Sequence, residues 1–271
     1  MNWNYQEIKP IHPLNQYIEC IWTENFSDIN PSSLPHHIVP DNSIELIFTD
    51  SFIIRSSPFL KDNGKMKSHL TGLKSKYQKV IVERSPLIGV RFKPNGLYPF
   101  SKLDLKETID TFLSPEICFG KEIVILEDQL FEALNFHKRV QLIEQFFLKS
   151  LQKIELNPDP TFDHIVQLIH HSKGRINVAD LSKTFQISVK SIERKFLTKL
   201  GMTPKKYART IRLTNSLKDI GKRGSKQLTQ ISHEYDFYDQ SHFIKEIKSC
   251  TGLSPSQYSQ LDKGIQTPLL N

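Results

Sequence analysis

The chain has 271 residues, 38% of them apolar, three cysteines and a formal net charge of +7. No apolar run approaches the roughly 20 residues a membrane helix needs, and MNWNYQEIKP lacks the charged-then-apolar build of a signal peptide, so a cytoplasmic protein is expected. Cys20, Cys118 and Cys250 are far apart and form no CxxC pair, which argues against a disulfide framework and a thiolate zinc site; they are expected as buried or half-buried free thiols.

Along the N-terminal half, the β-rich runs are residues 43–55 (SIELIFTDSFIIR), 77–83 (YQKVIVE) and 87–92 (LIGVRF). Turn signals separate them at Pro40-Asp41-Asn42, Asp62-Asn63-Gly64 and Pro94-Asn95-Gly96, a spacing that predicts a small β-sandwich or barrel. From Ile123 to Ile154 the apolar period lengthens to three and four: Leu126, Leu130 and Leu134, then Val140, Ile143, Phe147 and Leu151. One or two amphipathic helices are expected there, packed either on their own barrel or on a second chain.

Residues 156–164 (LNPDPTFDH) mark a boundary, with two prolines bracketing an aspartate and Thr161 available to cap the next helix. The expected domains are a β-rich sensor unit (1–122), a helical connector and candidate dimerisation element (123–157), and a helical domain (158–271). Helices are predicted over 162–171, 178–185, 189–200, 204–220, 228–235 and 239–250, with a short one from Pro255. The overall class is therefore α+β, with an all-α C-terminal domain. Charge follows the same division: residues 1–160 hold 18 Lys+Arg against 20 Asp+Glu, whereas residues 161–271 hold 18 against 9. A basic domain beside a nearly neutral one points to a polyanionic partner.

The helical part repeats itself. At an offset of 51, Gly201 falls on Gly252, Thr203 on Ser254, Pro204 on Pro255, Tyr207 on Tyr258, Phe196 on Ile247, Ile192 on Phe243 and Arg194 on Lys245. Just upstream the offset is 50, pairing Leu181-Ser182 with Ile231-Ser232 and Ile187 with Phe237, so the second copy carries one extra residue in its turn. Each copy reads as a short helix, a tight turn and a longer helix, a helix-turn-helix whose second helix keeps one face free for a major groove. Ser188 and Asp239 are N-caps, and Gly201 and Gly252 end the longer helices.

These residues resemble the DNA-binding domain of AraC/XylS-type bacterial transcription regulators, in which two such units are joined by a central helix, here residues 204–220. Two positions depart from the family pattern: Asp236 stands where glycine is usual and Ile247 where phenylalanine is usual. Asp tolerates a left-handed turn and Ile remains a core residue. The resemblance implies a sequence-specific, non-enzymatic regulator, expected to activate transcription, whose partner is double-stranded DNA. The reading residues are then Ser188, Lys190, Glu193 and Arg194 in the first unit, with Ser191 beside them. In the second unit they are Gln240, Ser241, His242 and Lys245, with Ile244 beside them. Lys205, Lys206, Arg209, Arg212, Lys222, Arg223 and Lys226 are expected at phosphates. Two reading helices on one domain would sit about one helical turn, roughly 34 Å, apart on the duplex.

Upstream, HIVPDNSIELIF (residues 37–48) and IGVRFKPNGLYPF (residues 88–100) resemble the P-D-G-x-x-E/D-L-I-F and G-x-R-F-x-P-G-G patterns of N-terminal domains in a subset of these regulators. That resemblance implies a cupin-like barrel whose effectors are mostly unknown. His37, Glu45 and Arg91 are candidates to line a ligand pocket, while a structural Glu45–Arg91 ion pair is an equal alternative. No metal or cofactor is expected, because His36 and His37 are adjacent and in a strand would point to opposite faces. RNA polymerase, a small-molecule effector and a second copy of the chain remain candidate partners. The competing functions are a cupin-type or DNA-repair enzyme with a DNA-targeting tail, and a regulator that needs no ligand.

Overall fold

The structure, a computed structural model, describes residues 4–25, 35–51, 53–56, 65–82, 86–154, 158–221 and 227–260. Its N-terminal strands are β1 (Asn4–Ile8), β2 (Ile18–Asn25), β3 (Pro35–Ile38), β4 (Ile44–Phe48), β5 (Ile53–Ser56), β6 (Lys65–Met66), β7 (His69–Thr71), β8 (Gln78–Val82), β9 (Leu87–Phe92) and β10 (Phe112–Leu113). They form a six-stranded sheet in the order β1-β2-β9-β4-β7-β10 and a four-stranded sheet in the order β3-β8-β5-β6. The run over residues 43–55, expected as one β-rich stretch, is divided between the two sheets at Thr49–Ser51. There the Thr49 N–H donates to Ser68 Oγ at 3.0 Å instead of continuing a ladder.

Strand register sorts the six-stranded sheet into two faces of different chemistry. Ile21, Val90, Leu46 and Leu70 lie side by side in one row and are fully buried. Because side chains alternate along a strand, Cys20, Arg91, Glu45 and Thr71 form the adjacent row on the opposite face. The apolar face is covered by helices. The connector forms α1 (Pro115–Phe119), α2 (Glu122–Glu132) and α3 (Phe136–Gln152). Phe147 of α3 meets Phe92 and Phe100 edge-on at 5.6 and 5.0 Å, so α3 packs on its own sheet.

The predicted apolar stripe is buried at Ile123, Leu126, Leu130, Val140, Ile143, Phe147 and Leu151. Leu134 is the exception, at 97% exposed, because the chain leaves the helix at Ala133 and restarts after the N-cap Asn135. All three cysteines are free and buried.

The C-terminal helices are α4 (Pro160–His171), α5 (Val178–Phe185), α6 (Val189–Leu200), α7 (Pro204–Gly221), α8 (Leu228–Glu234), α9 (Gln240–Thr251) and α10 (Pro255–Gln260). Asp159, not Thr161, caps α4, accepting the Phe162 N–H at 3.1 Å. Pro160 decides this: proline fits the first helical position, which makes the residue before it the cap.

Packing divides the helical part within α7. One core runs from the apolar sheet face through α3 and α4 to Leu181, Ile192, Phe196, Tyr207 and Ile211. A second gathers Leu213, Leu217, Ile231, Phe237, Phe243, Ile247 and Tyr258, joined by Val39 from the N-terminal half. The central helix thus belongs to both cores and couples the two copies of the repeat.

Candidate nucleic-acid interface

Both copies turn by the same local device. In the first, Asn177 starts α5 by accepting the Asp180 N–H at 2.8 Å. Gln186 ends it in the left-handed region at φ 52°. The Ile187 N–H returns to the Ser182 carbonyl at 3.3 Å, and Ser182 Oγ donates to the Ile187 carbonyl at 2.7 Å. In the second copy Asp236 takes the same φ of 52°, and the Phe237 N–H donates to the Ser232 carbonyl at 3.0 Å. Asp236 therefore occupies the conformation expected of it. Gln186, 50 residues upstream, does the same without any residue-type signal, and the repeat alignment was the only clue to it.

The longer helices begin at side-chain caps. Ser188 Oγ accepts the Ser191 N–H at 3.1 Å, and Asp239 Oδ1 accepts the His242 N–H at 2.6 Å. Each helix turns its apolar residues inward, Ile192, Phe196 and Leu200 in α6 and Phe243, Ile247 and Cys250 in α9. Ser188, Lys190, Glu193 and Arg194 are exposed on the other side of the first; Gln240, Ser241, His242 and Lys245 are exposed on the second. Ser191 and Ile244 are half-buried. Gln240 is oriented by Thr229, whose hydroxyl donates to Gln240 Oε1 at 2.9 Å. Tyr238, the residue inserted in the second turn, is 90% exposed.

The basic residues around these helices divide into two groups. Lys205 is exposed and Lys206 half-buried at the start of α7, with no ion pair to either among the described residues. Arg209 instead grips Glu246 of α9, with Nε and Nη2 2.7 and 2.6 Å from Oε2. Arg212 lays its guanidinium over the Phe237 ring at 4.6 Å; its Nε is buried without a partner, and burial holds its pKa below the usual range. These two side chains, expected at phosphates, are committed inside the domain. Lys222, Arg223 and Lys226 lie outside the described residues.

The N-terminal half touches both copies. The short 3-10 helix Leu105–Thr108 packs against α6, with the Leu105 carbonyl at Gly201. Tyr77 lies against Gly252 at the corresponding end of α9, and Thr214 of α7 donates to the Pro40 carbonyl at 3.0 Å. A cleft of about 1420 Å³ opens between the N-terminal half and the first unit, with Tyr98, Asn95, His170 and Lys199 in its wall.

Of the residues singled out for a ligand, Glu45 and Arg91 stand opposite one another in register and form an ion pair at 3.0 Å. Burial works against the Arg91 charge, but Glu45 outweighs it and raises the pKa above its usual range. His37 lies in β3 opposite Lys79, and its side chain is outside the described residues. Among the described residues, no group of three or more His, Cys, Asp or Glu side chains is placed to hold a metal ion, and no helix is long and apolar enough to cross a membrane.

Comparison with known proteins finds similarity in both the N-terminal and the C-terminal part of the chain. The family model of a helix-turn-helix domain matches residues 181–260, and that of a domain of unknown function, DUF6597, matches residues 6–114. The probable thc operon regulatory protein of Rhodococcus erythropolis is 29% identical over 107 residues, covering 37% of this chain and 32% of that protein. The uncharacterized HTH-type transcriptional regulator YidL of Escherichia coli is 30% identical over 95 residues, covering 35% of this chain and 32% of that protein. The match thus spans about a third of the length of these curated relatives. Among solved structures, ToxT from Vibrio cholerae aligns over 95% of this chain and 97% of its own at 14% identity, with a TM-score of 0.48. The chain joins an N-terminal DUF6597 domain to a C-terminal helix-turn-helix domain of the AraC type.

Proposed function

We propose that the chain is a sequence-specific DNA-binding transcription regulator that inserts α6 and α9 into successive major-groove segments. The observation that carries this reading is the repeat itself. Two helices with the same turn conformation, the same type of cap and the same glycine end each keep a row of exposed polar side chains on the side away from the core. Arg194 and Lys245 would bond guanine edges or phosphates, Gln240 suits adenine, and Glu193 can accept from a cytosine amino group. Ser188, Lys190, Ser241 and His242 complete the two reading rows. Lys205 and Lys206 would position the domain through phosphates.

The N-terminal domain, residues 1–122, is assigned to sensing, with a cupin-like container for a small molecule beside His37, Glu45 and Arg91. Residues 123–157 would connect it to the DNA-binding domain, residues 158–271, and offer a surface to a second copy; RNA polymerase is the candidate protein partner. Support for coupling comes from the contacts of Leu105 and Tyr77 with the ends of both reading helices. Selection of bound DNA from a random library tests the function. The expected product is a site with two conserved segments about one helical turn apart. Recovery of no enriched sequence by the full chain would overturn the reading.

A further inference from the structure

On the face of the six-stranded sheet opposite the main core, three buried side chains each hold a polar atom that meets no hydrogen-bonding partner among the described residues. They are Trp22 Nε1 and Glu24 Oε1 on β2 and Thr71 Oγ1 on β7, all in residues no more than 6% exposed. Folded proteins leave few buried polar atoms unpaired, and each such atom asks for an occupant, whether water, ion or ligand. Register gathers these three on one surface. Cys20, Arg91, Glu45 and Thr71 make one row, Trp22, Gly89, Ile47 and His69 the next, and Tyr5, Glu24 and Leu87 the third.

Charge among the described residues of this face does not balance. Glu45 is matched by Arg91 at 3.0 Å, but no cation pairs with Glu24 among the described residues. An ordered water can satisfy a lone pair, yet Glu24 once ionised would still be a buried negative charge without compensation. What surrounds Glu24 narrows the missing partner. Tyr5 stands directly across from it on β1, and Trp22 is two residues before it on the same face. Their rings lie 6.1 Å apart at 31°. Gly89 lets the indole lie across the neighbouring strand, since a Cβ there would come within 2.0 Å of it. A carboxylate beside aromatic rings is the chemistry that recognises an ammonium group.

We propose that this face binds a small organic cation, its ammonium paired with Glu24 beside Tyr5 and Trp22, and its polar remainder reached by Trp22 Nε1. The proposal rests on the reading of the N-terminal domain as a small-molecule sensor and adds the chemical class of the ligand. It is independent of which residues touch DNA. Burial, reinforced by Glu45, pushes the Glu24 pKa up to about 7, as for a carboxylate held without its counter-ion.

Thermal unfolding of the full chain at pH 8 tests it, with phenethylammonium set against 2-phenylethanol and putrescine against 1,4-butanediol. An ammonium probe is expected to raise the melting temperature by about 2–4 °C at ten times its dissociation constant, and its alcohol counterpart is not. Glu24→Gln should abolish that response while melting no lower than wild type, because it removes a buried charge without a partner. Trp22→Phe, which keeps a ring and loses Nε1, should respond with about tenfold weaker affinity. Equal shifts from ammonium and alcohol, no shift from either ammonium, or an undiminished response in Glu24→Gln would each overturn the proposal. DNA selection on the same preparation keeps the two readings apart. A chain that selects DNA and ignores both ammonium probes sinks this proposal alone, and one that responds to ammonium but enriches no DNA sinks the regulator reading alone.

Discussion

The Leu105 carbonyl sits so close to Gly201 that a Cβ at that glycine would come within 2.2 Å of its oxygen, and a Cβ at Gly252 would come within 2.5 Å of the Tyr77 ring. The two glycines are equivalent positions of the repeat, and both are left-handed, at φ 73° and 74°. Each therefore does two jobs: it ends a reading helix, and it makes room for the N-terminal half. Gly252→Ala should cost about 1 kcal/mol for the left-handed backbone alone. In the full chain it should cost more, because the Tyr77 ring has to move. Introducing Gly252→Ala into a Tyr77→Ala background should recover the contact part and leave the backbone part. Equal costs in both backgrounds, measured by denaturant unfolding, would show that Tyr77 places no demand on that position.

How much of this could be read from the residues depends on how local the physics is. The two turns, their caps and the glycine ends depend on neighbouring residues, and Ser188, Asp239, Gly201 and Gly252 carry those signals in their own side chains or lack of one. The Leu105–Gly201 and Tyr77–Gly252 contacts join segments nearly a hundred or more residues apart, and nothing at either end names the other. Strand β1 presents Gln6 and Glu7 exposed to solvent, so its composition does not stand out as a strand. β2 places Cys20, Trp22 and Glu24 on a buried face, so the apolar-polar alternation that marks a half-exposed strand is missing. Glu24 therefore carries no signal of its own in the sequence. Its role depends on Tyr5 and Glu45, brought beside it only by the sheet.

Arg194→Ala and Lys245→Ala should weaken binding to a selected site, each by about 1–3 kcal/mol if it contacts a base edge, and each should relax preference in a different one of the two segments. Gel-shift assays with single-segment substitutions distinguish this from a general loss. Uniform weakening across all sequences would reassign both residues to phosphate contacts.

Arg209 and Lys205 should part company when salt is varied. Arg209 is held by two nitrogens to Glu246, so Arg209→Ala should lower stability and loosen α9 against α7 while leaving the slope of log affinity against log salt unchanged. Lys205 is exposed, and Lys205→Ala should reduce that slope by about 1 with no loss of stability. A salt slope altered by Arg209→Ala would mean that it leaves Glu246 for the DNA backbone.

Glu24 gives a pH dependence of unusual sign for a carboxylate. Its folded pKa, about 7, lies above its unfolded value, so stability is fully present below the ordinary carboxylate range and is lost as pH rises through 7. Removing the charge should therefore help more at high pH. The melting temperature of Glu24→Gln is expected to exceed that of wild type by a wider margin at pH 8 than at pH 5. Among the described residues the titratable groups on the same face are Tyr5, Glu7, Cys20, Arg91, Glu45 and His69, and of these Glu45 acts in the same direction as burial. A constant margin across that range would show that Glu24 has a partner in solution.

Asp159 runs the opposite way. Burial disfavours its charge, but Lys195 at 2.5 Å, the Phe162 N–H and Lys199 outweigh that and hold its pKa below the ordinary value. Stability from this group is fully present above the ordinary carboxylate pKa and is lost as pH falls toward the lower folded one. The same carboxylate caps α4 and ties it to α6, so it fixes the first reading helix to the segment that joins the two halves. Asp159→Asn keeps a capping oxygen and removes the charge, which separates the two roles. The variant should melt lower than wild type at pH 7, and the two curves should converge as the pH drops below about 4. A parallel offset at every pH would assign the loss to the cap and leave Lys195 without an energetic part in holding α6.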